Sequence, residues 1–102
     1  MYKKNRLGLD IDNKELSKRL LKIFRILKIK GFYRISSNKR GYHFSIKVNK
    51  HTKKEALIIR YMFNDCYGRW IGDVRRLKAG IKIFDVLFFK KKNKKAGSWR
   101  KI

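Results

Sequence analysis

At 102 residues, with 43% hydrophobic and 14% aromatic side chains, the chain is long enough for one domain with a single modest core and too apolar for disorder. Thirty Lys and Arg against seven Asp and Glu leave a formal charge of +23, and self-repulsion on that scale calls for a polyanionic partner, nucleic acid before an anionic membrane surface. The lone Cys66 rules out an internal disulfide and a paired-cysteine zinc site. No apolar run reaches the roughly 18 residues of a transmembrane segment, and the first ten residues lack a signal-peptide core, so an intracellular location is expected.

Residues 6–11 (RLGLDI) alternate, with Leu7, Leu9 and Ile11 on one side, Gly8 and Asp10 on the other and Asp12 following in phase; this predicts a half-buried strand. Residues 12–31 predict a helix. Leu16, Leu20, Ile23, Phe24 and Leu27 recur at helical spacing, Asp12 and Glu15 stand at capping-box distance, and Gly31 supplies a stop. FYRISS and GYHFSIKV predict two strands joined by a turn at 38–40. In the second, Tyr42, Phe44, Ile46 and Val48 share one face and His43, Ser45 and Lys47 the other. Thr52 and Glu55 form a second capping box, opening a helix through EALIIRYMF. Gly68 and Gly72 interrupt CYGRWIGD, and after a turn at Ala79–Gly80 the run 81–89 (IKIFDVLFF) predicts the last and most apolar strand.

The order β-α-β-β-α-β predicts an α+β domain over residues 1–90, a ferredoxin- or RRM-like sheet with both helices on one face. Residues 91–102 are expected to form a mobile basic tail. A second parse divides the chain into two tandem helix-plus-hairpin units, 13–48 and 52–90, with 74–78 as an added strand.

With helices on one face, Asp10, Asp12, His43 and Ser45 fall on the other. Carboxylates two apart on a strand are about 6.5 Å apart and can converge on a divalent cation, the arrangement that two-metal phosphoryl transfer uses. Plainer roles also exist: Asp12 as a helix N-cap, Asp10 as partner to a base such as Arg34, His43 as a half-buried strand residue. Arg75, Arg76 and Lys78 make one cationic cluster, and Lys94, Lys95 and Arg100 surround Trp99 in a second. These cations are expected to contact phosphates, and Trp99 to stack on a base or pack on a protein partner. Phe32, Phe44, Phe84 and Phe88 are expected in strands and mostly in the core.

Leu9-Asp10-Ile11-Asp12 resembles the acidic strand of archaeo-eukaryotic primases. Ser37-Asn38-Lys39-Arg40-Gly41-Tyr42-His43 resembles their Ser-x-His-type motif, with Asn for the first Gly and Lys for one Arg. Asp73 is the first candidate for the third carboxylate of that family and Asp85 the second. The stretch 64–91 also looks like small basic proteins of archaeal viruses and phages, and the chain as a whole resembles a protein of a virus of hyperthermophilic archaea. The resemblance runs over 7–90. It implies Asp10, Asp12 and Asp73 as ligands of Mg or Mn, His43 as a contact to nucleotide phosphates, and Arg40 as added charge beside it. The chain is much shorter than a catalytic primase core, so the expected function is nucleic-acid binding on a degenerate primase-like core, by a protein of a virus or mobile element inside the cell or in the virion. No catalytic residue is assigned. Two other functions stay open: a protein-interaction module that takes a peptide at a sheet edge or groove, and a minimal metal-dependent nucleotidyltransferase or nuclease.

Overall fold

The structure is a computed structural model that describes residues 4–87, 90–91 and 94–102. Strand β1 (Lys4–Ile11) follows the alternation of its sequence: Leu7, Leu9 and Ile11 are fully buried. Asn13 caps helix α1 (Lys14–Ile26), its side chain accepting from the Leu16 amide, so the N-cap lies one residue beyond the expected Asp12. Strands β2 (Gly31–Ile35) and β3 (Tyr42–His51) form the hairpin. Thr52 and Glu55 complete the expected capping box at the start of α2 (Lys53–Met62). Helix α3 (Tyr67–Ala79) follows, then three two-residue strands, β4 (Lys90–Lys91), β5 (Lys94–Lys95) and β6 (Arg100–Lys101).

The main sheet is antiparallel with order β1-β3-β2-β6; β4 and β5 pair separately. Because β3 lies antiparallel to both β1 and β2, those two run parallel with β3 between them. This is the split βαβ arrangement, and the α+β molecule is compatible with a ferredoxin-like fold. One face carries the core: Leu7, Leu9, Ile11, Phe44 and Ile46 meet Leu20, Leu21 and Phe24 of α1 and Ala56 and Leu57 of α2. The other face holds Gly8 opposite Ser45, Asp10 opposite His43, and Phe32 and Arg34 opposite Ser45 and His43. These polar residues lie on the face opposite α1 and α2, as expected, but α3 borders them: its Arg69, Gly72, Asp73 and Arg76 line one cleft with Asp10 and His43.

Four local expectations need correction. Helix α1 stops at Ile26, and Gly31 opens β2 instead of ending a helix. A Cβ on Gly31 would collide with the Ser45 carbonyl oxygen. Gly68 and Gly72 lie inside α3, which also contains the 74–78 segment of the tandem-unit parse; Gly80, in the left-handed region at φ 72°, ends that helix. Residues 81–87 form no strand, and 88–89 of the expected final strand lie outside the described residues, as does Phe88. Residues 100–101 are no detached tail: they pair with β2 at Phe32 and Tyr33 and supply the edge of the sheet.

Among the described residues, groups of Asp65, Cys66, Arg69 and Asp85, not a strand, cover the outer edge of β1. The Gly8 amide donates to Asp85 Oδ2 (2.9 Å) and the Asp10 amide to Asp65 Oδ1 (2.7 Å). The Gly8 carbonyl accepts from Arg69 Nη1 (3.3 Å), and the Asp10 carbonyl from the Cys66 amide (2.6 Å). An edge saturated in this way offers few groups to another strand. This is the physical reason that residues 81–87 do not pair there.

Candidate nucleic-acid interface and acidic cleft

Arg60, on α2 and fully buried, organises the acids that close β1. Its Nε donates to Asp65 Oδ2 and its Nη1 to Asp73 Oδ2, each at 2.8 Å. Asp73 also accepts from Arg76 Nη1 (2.8 Å) and the Asp85 amide (3.0 Å), while Arg69 links Asp65 to Asp85. Burial works against the Arg60 charge, but Asp65, Asp73 and Asp85 outweigh it and raise its pKa. Burial likewise opposes the Asp73 carboxylate, and the hydrogen bonds from Arg60, Asp85 and Arg76 overcome it, so its pKa is lowered. Three of the seven acids in the chain are thus consumed in holding α2, α3 and the 84–86 segment against β1.

Next to this network opens a cleft of about 490 Å³ whose lining includes Asp10, Asp12, Ser37, Asn38, His43 and Asp73. Parity along β1 and β3 brings Asp10 and His43 to one rung, with His43 Nε2 3.7 Å from Asp10 Oδ1. Arg34 Nε donates to His43 Nδ1 at 3.0 Å, so the neutral ring carries its proton on Nε2, on the side of Asp10. Burial first, then the charges of Arg34 and Arg69, depress the His43 pKa to about 4. The imidazole is neutral at pH 7, and its approach to Asp10 is not an ion pair. Burial also lowers the Arg34 pKa, with Asp10 acting in the opposite sense.

The turn between β2 and β3 is closed by its own polar groups. Asn38 Oδ1 accepts from Ser36 Oγ (2.7 Å) and the Arg40 amide (3.0 Å), and its Nδ2 donates to Asp12 Oδ1 (3.2 Å). The Asn that departs from the primase-type motif therefore ties the turn to the acidic strand. Arg40 stands exposed, outside the cleft lining. Lys94 and Lys95 are exposed and share a shallow hollow with Ser37, Asn38 and Lys39 next to the cleft. Arg75 and Lys78 are exposed on α3, while Arg76 is drawn into the pair with Asp73. Arg100 is exposed on β6, and Trp99 stacks on Arg34 with its ring centroid 4.2 Å from the guanidinium carbon. Among the described residues no group of three or more His, Cys, Asp or Glu is arranged to hold a metal ion.

At the opposite end of the sheet lies a larger groove, about 760 Å³, lined by Arg6, Arg25, Lys28, Lys30, Lys47 and Lys101 around Phe32, with no Asp or Glu in its lining; Arg25 Nε donates to the main-chain oxygen of Ile102, which also lines it. Sequence reading missed this groove, because its cations come from β1, the end of α1, the loop between α1 and β2, β3 and β6, and most of them form no run in the chain. The one local signal is KIKGF at 28–32, where two lysines flank a glycine and an aromatic. Phe32 is not a core residue as expected: it is 37% exposed on the face opposite α1 and α2.

Compared with known proteins, the chain matches no family model, no curated protein and no solved structure. No helix among the described residues is long and apolar enough to cross a membrane.

Proposed function

We propose that this protein binds nucleic acid through its phosphate backbone, with the groove around Phe32 as the contact surface. The observation that carries the reading is the convergence of six Lys and Arg side chains, from β1, α1, the loop after it, β3 and β6, on one concavity without Asp or Glu. Elsewhere, Asp65, Asp73 and Asp85 are paired within the molecule, so the acids do not neutralise the groove. Cations at such density give affinity with little choice of sequence. The resemblance of two short motifs to archaeo-eukaryotic primases, and of 64–91 to small basic proteins of archaeal viruses and phages, supports a place among the proteins of a virus or mobile element. Binding of a labelled oligonucleotide followed by anisotropy over a range of salt tests the reading. Six phosphate contacts predict a slope of about −4 for log affinity against log salt on a single strand. A slope near zero would remove the groove as a phosphate site.

A second reading is metal-dependent phosphoryl transfer in the cleft, favoured by one observation: Asp10, Asp12, Ser37 and His43, from three separate segments, line the same concavity. Mg or Mn would bind to Asp10 and Asp12, with Asp73 tied to Arg60 and Arg76. Calorimetric titration of Mn²⁺ with a nucleoside triphosphate separates this reading from the first. Binding lost in Asp10→Asn would support it, and absence of site-specific binding in the wild type would end it.

A further inference from the structure

We propose that the nucleic acid held by this protein is an unpaired strand whose bases stack on Phe32 and Trp99, an inference that rests on the phosphate-binding reading of the groove. Phe32 sits on β2 with strands on both sides, on the face opposite α1 and α2, and keeps 37% of its surface exposed; Trp99, just before β6, keeps 41%. Lys101 pairs across from Phe32, so Trp99, two residues earlier on the same chain, falls on the diagonal of that pair, at a separation of about 7 Å. Two exposed aromatic rings at diagonal positions on one sheet face match neighbouring bases that have been unstacked from each other.

Neither ring is left loose. The Arg34 guanidinium lies against Trp99, and Arg34 is itself fixed by His43 Nδ1 and by the Leu87 carbonyl oxygen. The Arg6 guanidinium stands 5.5 Å from the Phe32 ring and donates to the Ser45 carbonyl. Each ring is thus held in orientation on a cation, which lowers the entropy lost when a base settles on its free surface. Phe32 also lines the cationic groove, so a backbone tracking Arg6, Lys47 and Lys101 brings its bases to the ring. In a duplex the base faces are covered by their neighbours, and only phosphates could reach this surface. Stacking therefore selects for an unpaired strand.

The test compares a short fluorescein-labelled oligonucleotide, unpaired or annealed to its complement, against the full chain and its Phe32→Leu and Trp99→Leu variants. Leucine keeps apolar bulk while removing the ring. The expected result is tighter binding of the unpaired strand by the wild type, with each variant weakening that binding about tenfold, leaving duplex binding and the salt slope unchanged. Equal affinity of the wild type for both forms would overturn the proposal without any variant. So would unpaired-strand binding that survives both substitutions; in either case the phosphate-binding groove would stand. Absence of binding to both forms would overturn the groove reading along with this one.

Discussion

His43 is held neutral by a donor on one side and a desolvated pocket on the other, and that makes it a probe of the cleft. Its folded pKa, about 4, lies below the ordinary value of 6.5, so the unfolded chain binds more protons between those limits. The stabilisation from the neutral ring is complete above pH 6.5 and is lost as the pH falls toward 4, by roughly 3 kcal/mol from the size of the shift. Urea unfolding of the wild type across this window should show the loss. His43→Asn, which retains an acceptor for Arg34, should flatten the profile between pH 6.5 and 4, and an unchanged profile would place the titration elsewhere. Asp73 adds a separate acid limb. Its pKa is lowered from 3.8, so its contribution is present above that value and disappears as the pH falls through its folded pKa.

Arg60 is the residue on which the acidic network depends. Removing it as Arg60→Ala leaves Asp65 and Asp73 buried without their shared partner, and breaking such a buried pair costs about 3–5 kcal/mol. A denaturant midpoint within experimental error of the wild type would show that the network carries no such weight. Nothing marks Arg60 in the sequence as buried. It stands on an amphipathic helix in a chain rich in arginine, and its partners lie five and thirteen residues later. The acids closing β1 were unreadable for the same reason, since Asp65 and Asp85 contact main-chain amides more than fifty positions away.

At the scale of elements, the first half of the chain was legible because its local signals agree with its packing. Alternation on β1 and β3 fixed which residues meet the helices, and Thr52 with Glu55 marked the start of α2. Helix α3 was not, because Gly68 and Gly72 resemble breaks and Cys66 gives no side-chain cap. The run after it has the composition of a strand, yet the edge it would have to join is already hydrogen-bonded to Asp65, Cys66, Arg69 and Asp85. The hairpin end offers a direct check on β1–β3 packing. A Cβ on Gly41 would collide with the Ile11 carbonyl oxygen, and both atoms belong to backbone that cannot rotate away. Gly41→Ala should lower stability by about 2 kcal/mol, read as a fall in the urea midpoint, and should disturb the Asn38–Asp12 contact beside it. Full retention of the midpoint would mean that β1 and β3 are free to separate at this end.

Across the whole molecule, charge is divided by position. Five of the acids and His43 cluster at one end of the sheet and the network beside it, while the charged side chains lining the groove at the other end are all Lys and Arg. The first of these was legible as a pattern: side-chain parity brings Asp10 and His43 together from two short motifs, whatever chemistry they perform. The groove was not, because a surface assembled from four elements and a loop leaves only the short KIKGF run as a trace in the sequence. Of the candidate cations drawn from the run in α3, Arg76 is paired with Asp73 while Arg75 and Lys78 are exposed.

A protein of charge +23 will retain nucleic acid under many conditions, so the decisive measurement compares variants of equal charge. Lys47→Ala/Lys101→Ala removes two cations from the groove, and Lys18→Ala/Lys54→Ala removes two exposed cations from α1 and α2, outside it. Oligonucleotide affinity should be followed against salt for both proteins and the wild type. The groove variant should lose about 1.4 from the magnitude of the log–log slope, and the control should keep the wild-type slope. Equal losses in the two variants would show that charge alone, and not the groove, binds the polyanion.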